Sequence, residues 1–476
     1  MAFRKFHKPF AATIALLSIG SLAVLACSDD DGTIPQDGFD AGPGVKVPEA
    51  GSDPDTGPVA TDEYTVDIGA GFATACALSN KGHVKCWGDA VDGEMLSAPQ
   101  QGKTCFDAYK NTAAECDWRT PTDLAIPYAV EQLNVGYLTT CVIANDNGTK
   151  KLGCWGTQDT GRLSSYAPDA SALVSTIVWI PFASPPKRIT GGTYFKLVEL
   201  DDGSLWGWGD NSYGHFAGSD TDTLPTPEKV WPPAPQAGVD AGDLGTIVDV
   251  ASGRINSLVL TTTGLFGAGD NSYSQLFIPE GALPEEEAHQ WTRLPVAVRA
   301  GSDAGAVDAG GDPIAKLFRS NGSAEGCCYI TAAGKLHCWG ENDYGQAGSS
   351  VNENKASVTI PTLAELPSNV KATQVTIANG GICATTEDGS LYCWGDNSRG
   401  AAAQDPPMDN LPSPKKVVGV TNATAVAVGT RYFGCAVTAE HKTYCWGDNG
   451  YGQRGYAPDG GDSQFSITPN EVPLTW

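Results

Sequence analysis

Short apolar stretches cut by glycine-containing turns run through residues 62–476, and no helical stripe interrupts them. One layout recurs. A β-branched stretch closes on a small residue, as in Val66-Asp-Ile-Gly69, Leu133-Asn-Val-Gly136, Val248-Asp-Val-Ala251 and Val426-Ala-Val-Gly429. A second apolar stretch follows, as in Cys76-Ala-Leu78, Cys141-Val-Ile143, Leu258-Val-Leu260, Cys383-Ala-Thr385 and Cys435-Ala-Val437. A tight turn such as Asn80-Lys81-Gly82 or Asp388-Gly389 then leads into a Leu-x-Cys-Trp-Gly stretch and a polar Asp-Asn loop. Strand, glycine turn and strand predict a hairpin.

The third stretch fixes the count. Leu391-Tyr-Cys-Trp-Gly-Asp-Asn-Ser-Arg-Gly400 is echoed by Leu336 to Gly345 and by Thr443 to Gly452, and in weaker form elsewhere. The tryptophan position falls at Trp87, Trp155, Trp208, Ala268, Trp339, Trp394 and Trp446, so seven units stand 52 to 71 residues apart. That period belongs to solenoids and propellers. Units of three or four short strands predict an all-β, seven-bladed β-propeller over residues 62–476. The first unit begins at Tyr64 and the last stops at Glu471-Val-Pro-Leu-Thr475, which predicts one blade shared between the two ends. Segments near Ser97–Leu124, Ser165–Pro185, Trp231–Leu244, Ile278–Leu294 and Ala300–Pro313 are expected to be solvated loops.

The cysteines test this register. Cys76 and Cys86, Cys328 and Cys338, Cys383 and Cys393, and Cys435 and Cys445 each lie ten residues apart, and Cys141 and Cys154 lie thirteen apart. Facing residues of a hairpin come close enough for a disulfide. The two units lacking one cysteine also lack its partner, with Leu197 and Gly207 in one and Ser257 and Gly267 in the other. Paired loss fits covalent pairs. Cys105 and Cys116 fall in the long insertion of the first unit and are expected to staple it. Cys327 is left over, either as a buried free thiol or as a rival to Cys328.

Charge and the N-terminus set the compartment. The net charge of −25 opposes nucleic-acid binding, which needs a basic face. Arg4, Lys5 and Lys8 precede an apolar run from Ala11 to Leu25 that is short for a membrane span. Val24-Leu25-Ala26-Cys27 resembles a bacterial lipobox, which implies a signal peptide over 1–26 and lipid on Cys27. An ordinary signal peptide is the alternative. Residues 27–61 are rich in Asp, Gly and Pro and read as a disordered tether. The expected location is the cell envelope, the outer membrane ahead of the inner, with the domain in the periplasm or at the surface. The oxidised cysteines fit that compartment.

The repeated Cys-Ala-Leu…Leu-x-Cys-Trp-Gly-Asp-Asn-x-Tyr-Gly-Gln phrasing, clear in Leu336 to Gly348 and Tyr444 to Gly455, resembles the repeat of the regulator of chromosome condensation family. The resemblance covers Asp62 to Trp476 and implies a seven-bladed propeller. Family functions differ. The eukaryotic namesake is a nucleotide-exchange factor that binds chromatin, partners an acidic exported chain does not meet. The plant UV-B receptor uses a Gly-Trp-Arg-His-Thr motif that is absent here. A secreted bacterial β-lactamase inhibitor of similar repeats blocks a protein with one propeller face, and is the precedent nearest in compartment.

Tyr213, Tyr273, Tyr344 and Tyr451, with Arg399, share one loop position and predict a ring on one face. Such a ring is a protein-binding surface or a blade-packing device. Asp89, Asp210, Asp270, Asp396 and Asp448, with Glu341, recur likewise and are expected to cap loop amides rather than hold a cation. His83, His337 and His441 lie in or beside hairpin turns, where exposure is expected. No catalytic motif is present. The expectation is a monomeric, non-catalytic protein-interaction module without cofactor or metal, anchored in membrane lipid through Cys27. Carbohydrate or cell-wall binding is the alternative, on a platform built from Trp118, Trp179, Trp231 and Trp291.

Overall fold

In the computed structural model, the described residues are 62–89, 96, 120–158, 161–164, 173–217, 221–233, 244–277, 287–295, 297–298, 306–320, 324–350, 355–406, 410–456 and 465–476. Cys27, Cys105, Cys116, Trp118 and the tether lie outside them. The chain forms a seven-bladed β-propeller of antiparallel sheets. Blade 1 is Thr65–Ala70, Thr74–Ser79, Val84–Gly88 and Thr122–Asp123. Blade 2 is Ala129–Val135, Thr139–Asp146, Thr149–Thr157 and Leu173–Ile180. Blade 3 is Pro186–Thr190, Phe195–Leu200, Leu205–Asp210 and Thr223–Trp231. Blade 4 is Ile247–Ser252, Asn256–Thr261, Gly264–Asp270 and Glu287–Arg293. Blade 5 is Ile314–Leu317, Gly326–Thr331, Leu336–Glu341 and Ser357–Leu363. Blade 6 is Ala372–Ala378, Gly381–Thr386, Leu391–Gly395 and Leu411–Lys416, with Arg319–Ser320 added in parallel at its inner edge. Blade 7 is Ala423–Gly429, Phe433–Thr438, Thr443–Asp448 and Phe465–Glu471.

Two expectations are corrected. No blade is shared between the chain ends, because blades 1 and 7 each draw all four strands from one continuous stretch. The ring closes by contact instead. Thr430 N and Arg431 N donate to Gly71 O and Phe72 O at 3.0 and 2.9 Å, Tyr64 stacks on His441 at 3.7 Å, and the Trp476 indole donates to Thr65 Oγ1 at 3.1 Å. Three of the segments read as solvated loops hold the outermost strands of blades 1, 2 and 4. Those strands bury fewer of their positions than the inner ones do, so the apolar signal in their sequences is weaker.

The tryptophans join neighbouring blades. Five of the indole N–H groups donate to a carbonyl in the loop of the preceding blade. Trp208 reaches Arg162 O at 2.9 Å, Trp339 reaches Gln275 O at 2.8 Å, Trp394 reaches Gln346 O at 3.0 Å and Trp446 reaches Ala401 O at 2.8 Å. Trp87 reaches Gln453 O at 2.7 Å and so carries the pattern across the closure. An indole buried with its one donor satisfied combines large apolar area with a met polar group. Blade 4 has Ala268 there, and its tie to blade 3 lies farther out. Trp291 donates to Val230 O at 2.9 Å and meets Trp231 edge-on at 5.5 Å.

The glycine after each tryptophan position has a physical cause. Gly88, Gly156, Gly209, Gly269, Gly340, Gly395 and Gly447 all have φ between +84° and +112°. A Cβ there would come within 2.1 to 2.7 Å of a carbonyl oxygen in the turn between the first and second strands of the same blade. The next amide bonds that carbonyl, as Asp396 N does to Gly380 O at 3.0 Å. Only glycine meets both demands.

A second belt encircles the axis. The first strand of each blade lines a central cavity of about 90 Å3. Side chains there reach forward to the next blade. Gln132 accepts from Ile189 N at 2.7 Å, Arg188 pairs with Asp249 and donates to Val248 O at 3.1 Å, and Asp249 accepts from Leu317 N at 2.8 Å. Lys316 donates to Thr373 O at 3.2 Å and Gln374 accepts from Val426 N at 3.2 Å. Sequence reading missed this belt, although its signal is a polar residue set inside each β-branched stretch.

Five disulfides join facing residues of the second and third strands, Cys76–Cys86, Cys141–Cys154, Cys328–Cys338, Cys383–Cys393 and Cys435–Cys445, with Cα separations of 4.0 to 4.1 Å. Cys327 is a buried free thiol within 3.6 Å of Asn256 Nδ2, so Cys328 keeps the pairing. Burial pushes the Cys327 thiol up to about 12, which keeps it protonated and inert. Alkylation of the native protein should therefore spare Cys327 and label it after unfolding. Peptide mapping without reduction checks both this and the Cys383–Cys393 link, and labelling of native Cys327 would contradict the buried placement. Trp339→Ala should cost about 3–5 kcal/mol by denaturant unfolding. Trp339→Phe should cost less, since it keeps most of the area and loses one hydrogen bond worth about 1 kcal/mol.

Candidate interaction face

Strand direction sorts the loops onto two faces. The turns joining first to second strands and third to fourth strands lie at one end of every blade, here the upper face. The hairpin turns between second and third strands lie at the lower face, where Tyr64 and Trp476 also sit. The chain therefore enters and leaves on the lower side.

On the upper face the first turns form a collar around the axis. Phe72 N donates to Tyr137 O at 3.1 Å, Thr193 N to Arg254 O at 3.0 Å and Arg254 N to Ala324 O at 2.8 Å. These bonds link the turns from blade to blade. Phe72, Tyr137, Tyr194, Arg431 and Tyr432 are half-buried and Arg254 is exposed. The Arg431 guanidinium lies 4.5 Å over Phe72 and 5.2 Å from the Tyr451 ring, and Arg162 lies 4.5 Å over Tyr194. Phe72 meets Tyr137 edge-on at 5.0 Å.

The predicted tyrosine ring sits just outside this collar. Tyr213 and Tyr344 are each 37 % exposed, and Tyr273 and Tyr451 are half-buried. Arg399 bonds Asp448 of the next blade at 3.2 Å. The ring therefore both packs and shows. Asp210, Asp270 and Asp396 of the predicted Asp ring cap their own loops. Asp210 and Asp396 each accept from the amide two residues on at 2.7 Å, and Asp270 accepts from Ser272 Oγ at 2.7 Å. The neighbouring asparagines brace the same loops. Asn342 accepts from Ala347 N at 2.8 Å and Asn397 from Ala402 N at 3.0 Å.

Other placements differ from expectation. His83 and His441 are exposed, but His337 is largely enclosed and stacks on Tyr329 at 5.0 Å. Trp231 and Trp291 are buried between blades 3 and 4, and Trp179 is half-buried against Tyr128 at 5.1 Å. No shared platform joins these three.

Charge is uneven on the upper face. Burial pushes Glu341 up to about 7, helped by the charges of Glu325 and Asp343. Arg254 bonds Glu325 at 3.0 Å on that side. On the other side Lys196 is buried between blades 2 and 3, within 3.4 Å of Asn134 Oδ1 and of Thr139 O. Burial, reinforced by the Arg162 charge, pulls its ammonium down to about 7. Burial raises the Tyr137 phenol, with Tyr194 adding to the rise, while Arg431, Arg162 and Arg254 oppose it.

Residues 333–384 match the Regulator of chromosome condensation (RCC1) repeat, and residues 66–94, 379–401 and 423–453 match a second description of that repeat. RCC1 repeats are thus found in these stretches, which fall in blades 1, 5, 6 and 7. Among solved structures it is similar to yeast RCC1 (Prp20) bound to Kap60, at 18% identity and a TM-score of 0.65 over 87% of this chain and 85% of that one. It is also similar to human WBSCR16, at 18% identity and a TM-score of 0.63 over 82% and 95%. At these identities the likeness establishes the fold. By sequence it is 24% identical to the Arabidopsis thaliana ultraviolet-B receptor UVR8 over 83% of this chain and 81% of the receptor. A 24% match to the human E3 ubiquitin-protein ligase HERC2 covers 56% of this chain and 5% of the ligase. Where Trp-Gly-Asp-Asn recurs, the RCC1 repeat here supplies the blade staple, the bulge glycine and the loop caps together.

Lys196 gives a pH signature. Its folded pKa lies below the ordinary 10.5, so the folded state binds fewer protons and stability rises with pH from about 7 towards 10.5. Lys196→Met should remove that rise and stabilise the protein most below about pH 7. Thermal unfolding of both proteins across this range checks it; parallel profiles would contradict the buried ammonium.

Proposed function

We propose that this RCC1-repeat propeller is an exported, lipid-anchored, non-catalytic protein-interaction module that binds through its upper face. The observation that carries the reading is the collar of Phe72, Tyr137, Tyr194, Arg254, Arg431 and Tyr432, ringed by Tyr213 and Tyr344. Tyr and Arg dominate protein-binding hot spots because each buries large area while keeping a polar end. The turn-to-turn bonds hold the collar rigid, which lowers the entropy lost on binding. The Cys27 motif and the oxidised hairpins support an envelope location. Both chain ends of the propeller lie on the lower face, which leaves the upper face clear of them. The carbohydrate reading loses support, since Trp231 and Trp291 serve the blade interface.

A photocrosslinking residue placed at Tyr213 should capture a recurrent protein in intact cells, whereas one at Lys81 on the lower face should not. Capture from Lys81 alone, or from neither position, counts against an upper-face module. Cys27→Ala should move the protein from the membrane fraction to the soluble one. Retention in membranes would remove the anchor from the reading.

A further inference from the structure

The ring of Tyr213, Tyr273, Tyr344 and Tyr451 includes one cation, Arg399 of blade 6. Its guanidinium donates to Asp448, the acid of the Asp ring in blade 7, at 3.2 Å. A cation on one loop thus sits on the acid of the next blade. Blades 4 and 5 repeat this arrangement without the cation. Their ring residues are Tyr273 and Tyr344, and the acids one blade ahead are Glu341 and Asp396. Burial raises both phenols. Glu341 heads the charges that add to the rise of Tyr273, and Asp396 heads those acting on Tyr344.

Glu341 differs from the other acids of its ring. Asp210 and Asp396 accept from the amide two residues on, whereas the carboxyl of Glu341, one methylene longer, lies against the Glu325 amide. Gln346 registers the change. Its Oε1 accepts from Tyr344 N at 2.8 Å, as that of Gln275 accepts from Tyr273 N at 2.9 Å, so the two amides are turned alike. Gln275 Nε2 reaches Asp270 at 2.8 Å and Glu325 at 3.1 Å. Gln346 is 2 % exposed, and its Nε2, facing the Glu341 position, has no acceptor among the described residues. The Glu341 carboxyl is therefore not spent on its loop. Burial first, then the charges of Glu325 and Asp343, pushes it up to about 7, and a cation beside it would favour the ionised form. Arg254 also acts on it, but the bond of that guanidinium is to Glu325 at 3.0 Å.

Tyr344 completes the surface. It is 37 % exposed, and its ring lies so close to Gly380 of blade 6 that a Cβ there would come within 2.6 Å. The contact fixes the ring and leaves its outer side open to a cation, which an aromatic face attracts. A carboxylate or phosphate brought to the same place would meet Glu325, Glu341 and Asp343, and like charges across an interface repel.

We infer that the upper face over blades 4 to 6 receives a basic segment of the partner protein, with a lysine or arginine on Glu341, in the manner of Arg399 on Asp448, and the segment lying over Tyr273 and Tyr344. This rests on the upper-face reading above and adds the chemistry of the partner.

The test uses the whole protein and a fluorescein-labelled peptide of repeating Lys-Lys-Tyr-Gly units, followed by fluorescence anisotropy, with the matching Gln-Gln-Tyr-Gly peptide as control. The Lys peptide should bind, should weaken as salt rises, and should lose about fivefold in affinity with Glu341→Gln. An acidic protein draws any polycation, so Glu387→Gln, the same charge change on the lower face, is the reference and should leave the affinity unchanged. Equal losses in the two variants overturn the inference, and so does no loss in Glu341→Gln or equal binding of the Gln peptide by the unaltered protein. Where thermal unfolding shows that Glu341→Gln has lost the fold, Tyr273→Arg decides. It supplies from within the cation that blade 5 lacks and should weaken the Lys peptide; an affinity equal to the parent's overturns the inference. If crosslinking from Tyr213 still captures a protein while the Lys peptide fails to bind, the basic-partner inference falls and the interaction module stands.

Discussion

The hydrogen bond from an indole to a carbonyl one blade back is what turns separate sheets into a ring. A four-stranded blade has two apolar faces and cannot bury both alone. The indole covers one of them and lands its single donor on a backbone acceptor that would otherwise be buried unpaired. The glycine beside it lets the strand bulge towards its own upper turn, and the Asp and Asn that follow tie down the loop supplying the next acceptor. Fold and face thus share one set of residues.

This coupling explains how much of the molecule was legible in the sequence. Trp, Gly, Asp and Asn each have one dominant job at each unit, so their repetition revealed blade number, hairpin register and facing cysteines. The outermost strands were hidden because a strand with one exposed face and few neighbours tolerates almost any sequence, as Thr223 to Trp231 illustrates with its two prolines. Blade 1 was taken as half a blade because Thr122–Asp123, its last strand, is only two residues long and follows a long insertion. The collar was harder still. Phe72, Tyr137, Tyr194 and Arg431 come from turns of different sequence, and only the closed ring sets them side by side.

The exception at blade 4 shows what the interface requires. Ala268 removes the indole, and His215 lies in the loop position that the other blades use as acceptor. His215 is buried against Phe195 at 4.1 Å, with burial pulling its pKa down to about 4. A neutral imidazole there needs no counter-charge. The polar tie moves outward to Trp291 and Val230, so area and one satisfied donor are kept while their position changes. The inner belt of Gln132, Arg188, Asp249, Lys316 and Gln374 is independent of this swap, since it acts between first strands near the axis.

Completeness of blades 1 and 7 bears on how the chain assembles as it is made. Every sheet, apart from the short parallel addition to blade 6, draws its strands from one continuous stretch, and each disulfide joins cysteines at most thirteen residues apart. A blade can therefore pair and oxidise as soon as its own stretch emerges, without waiting for the far end of the chain. Local pairing keeps contact order low, which favours fast folding and shortens the time that strand edges stay open to other chains. The final event is the meeting of two finished surfaces rather than the threading of a last strand.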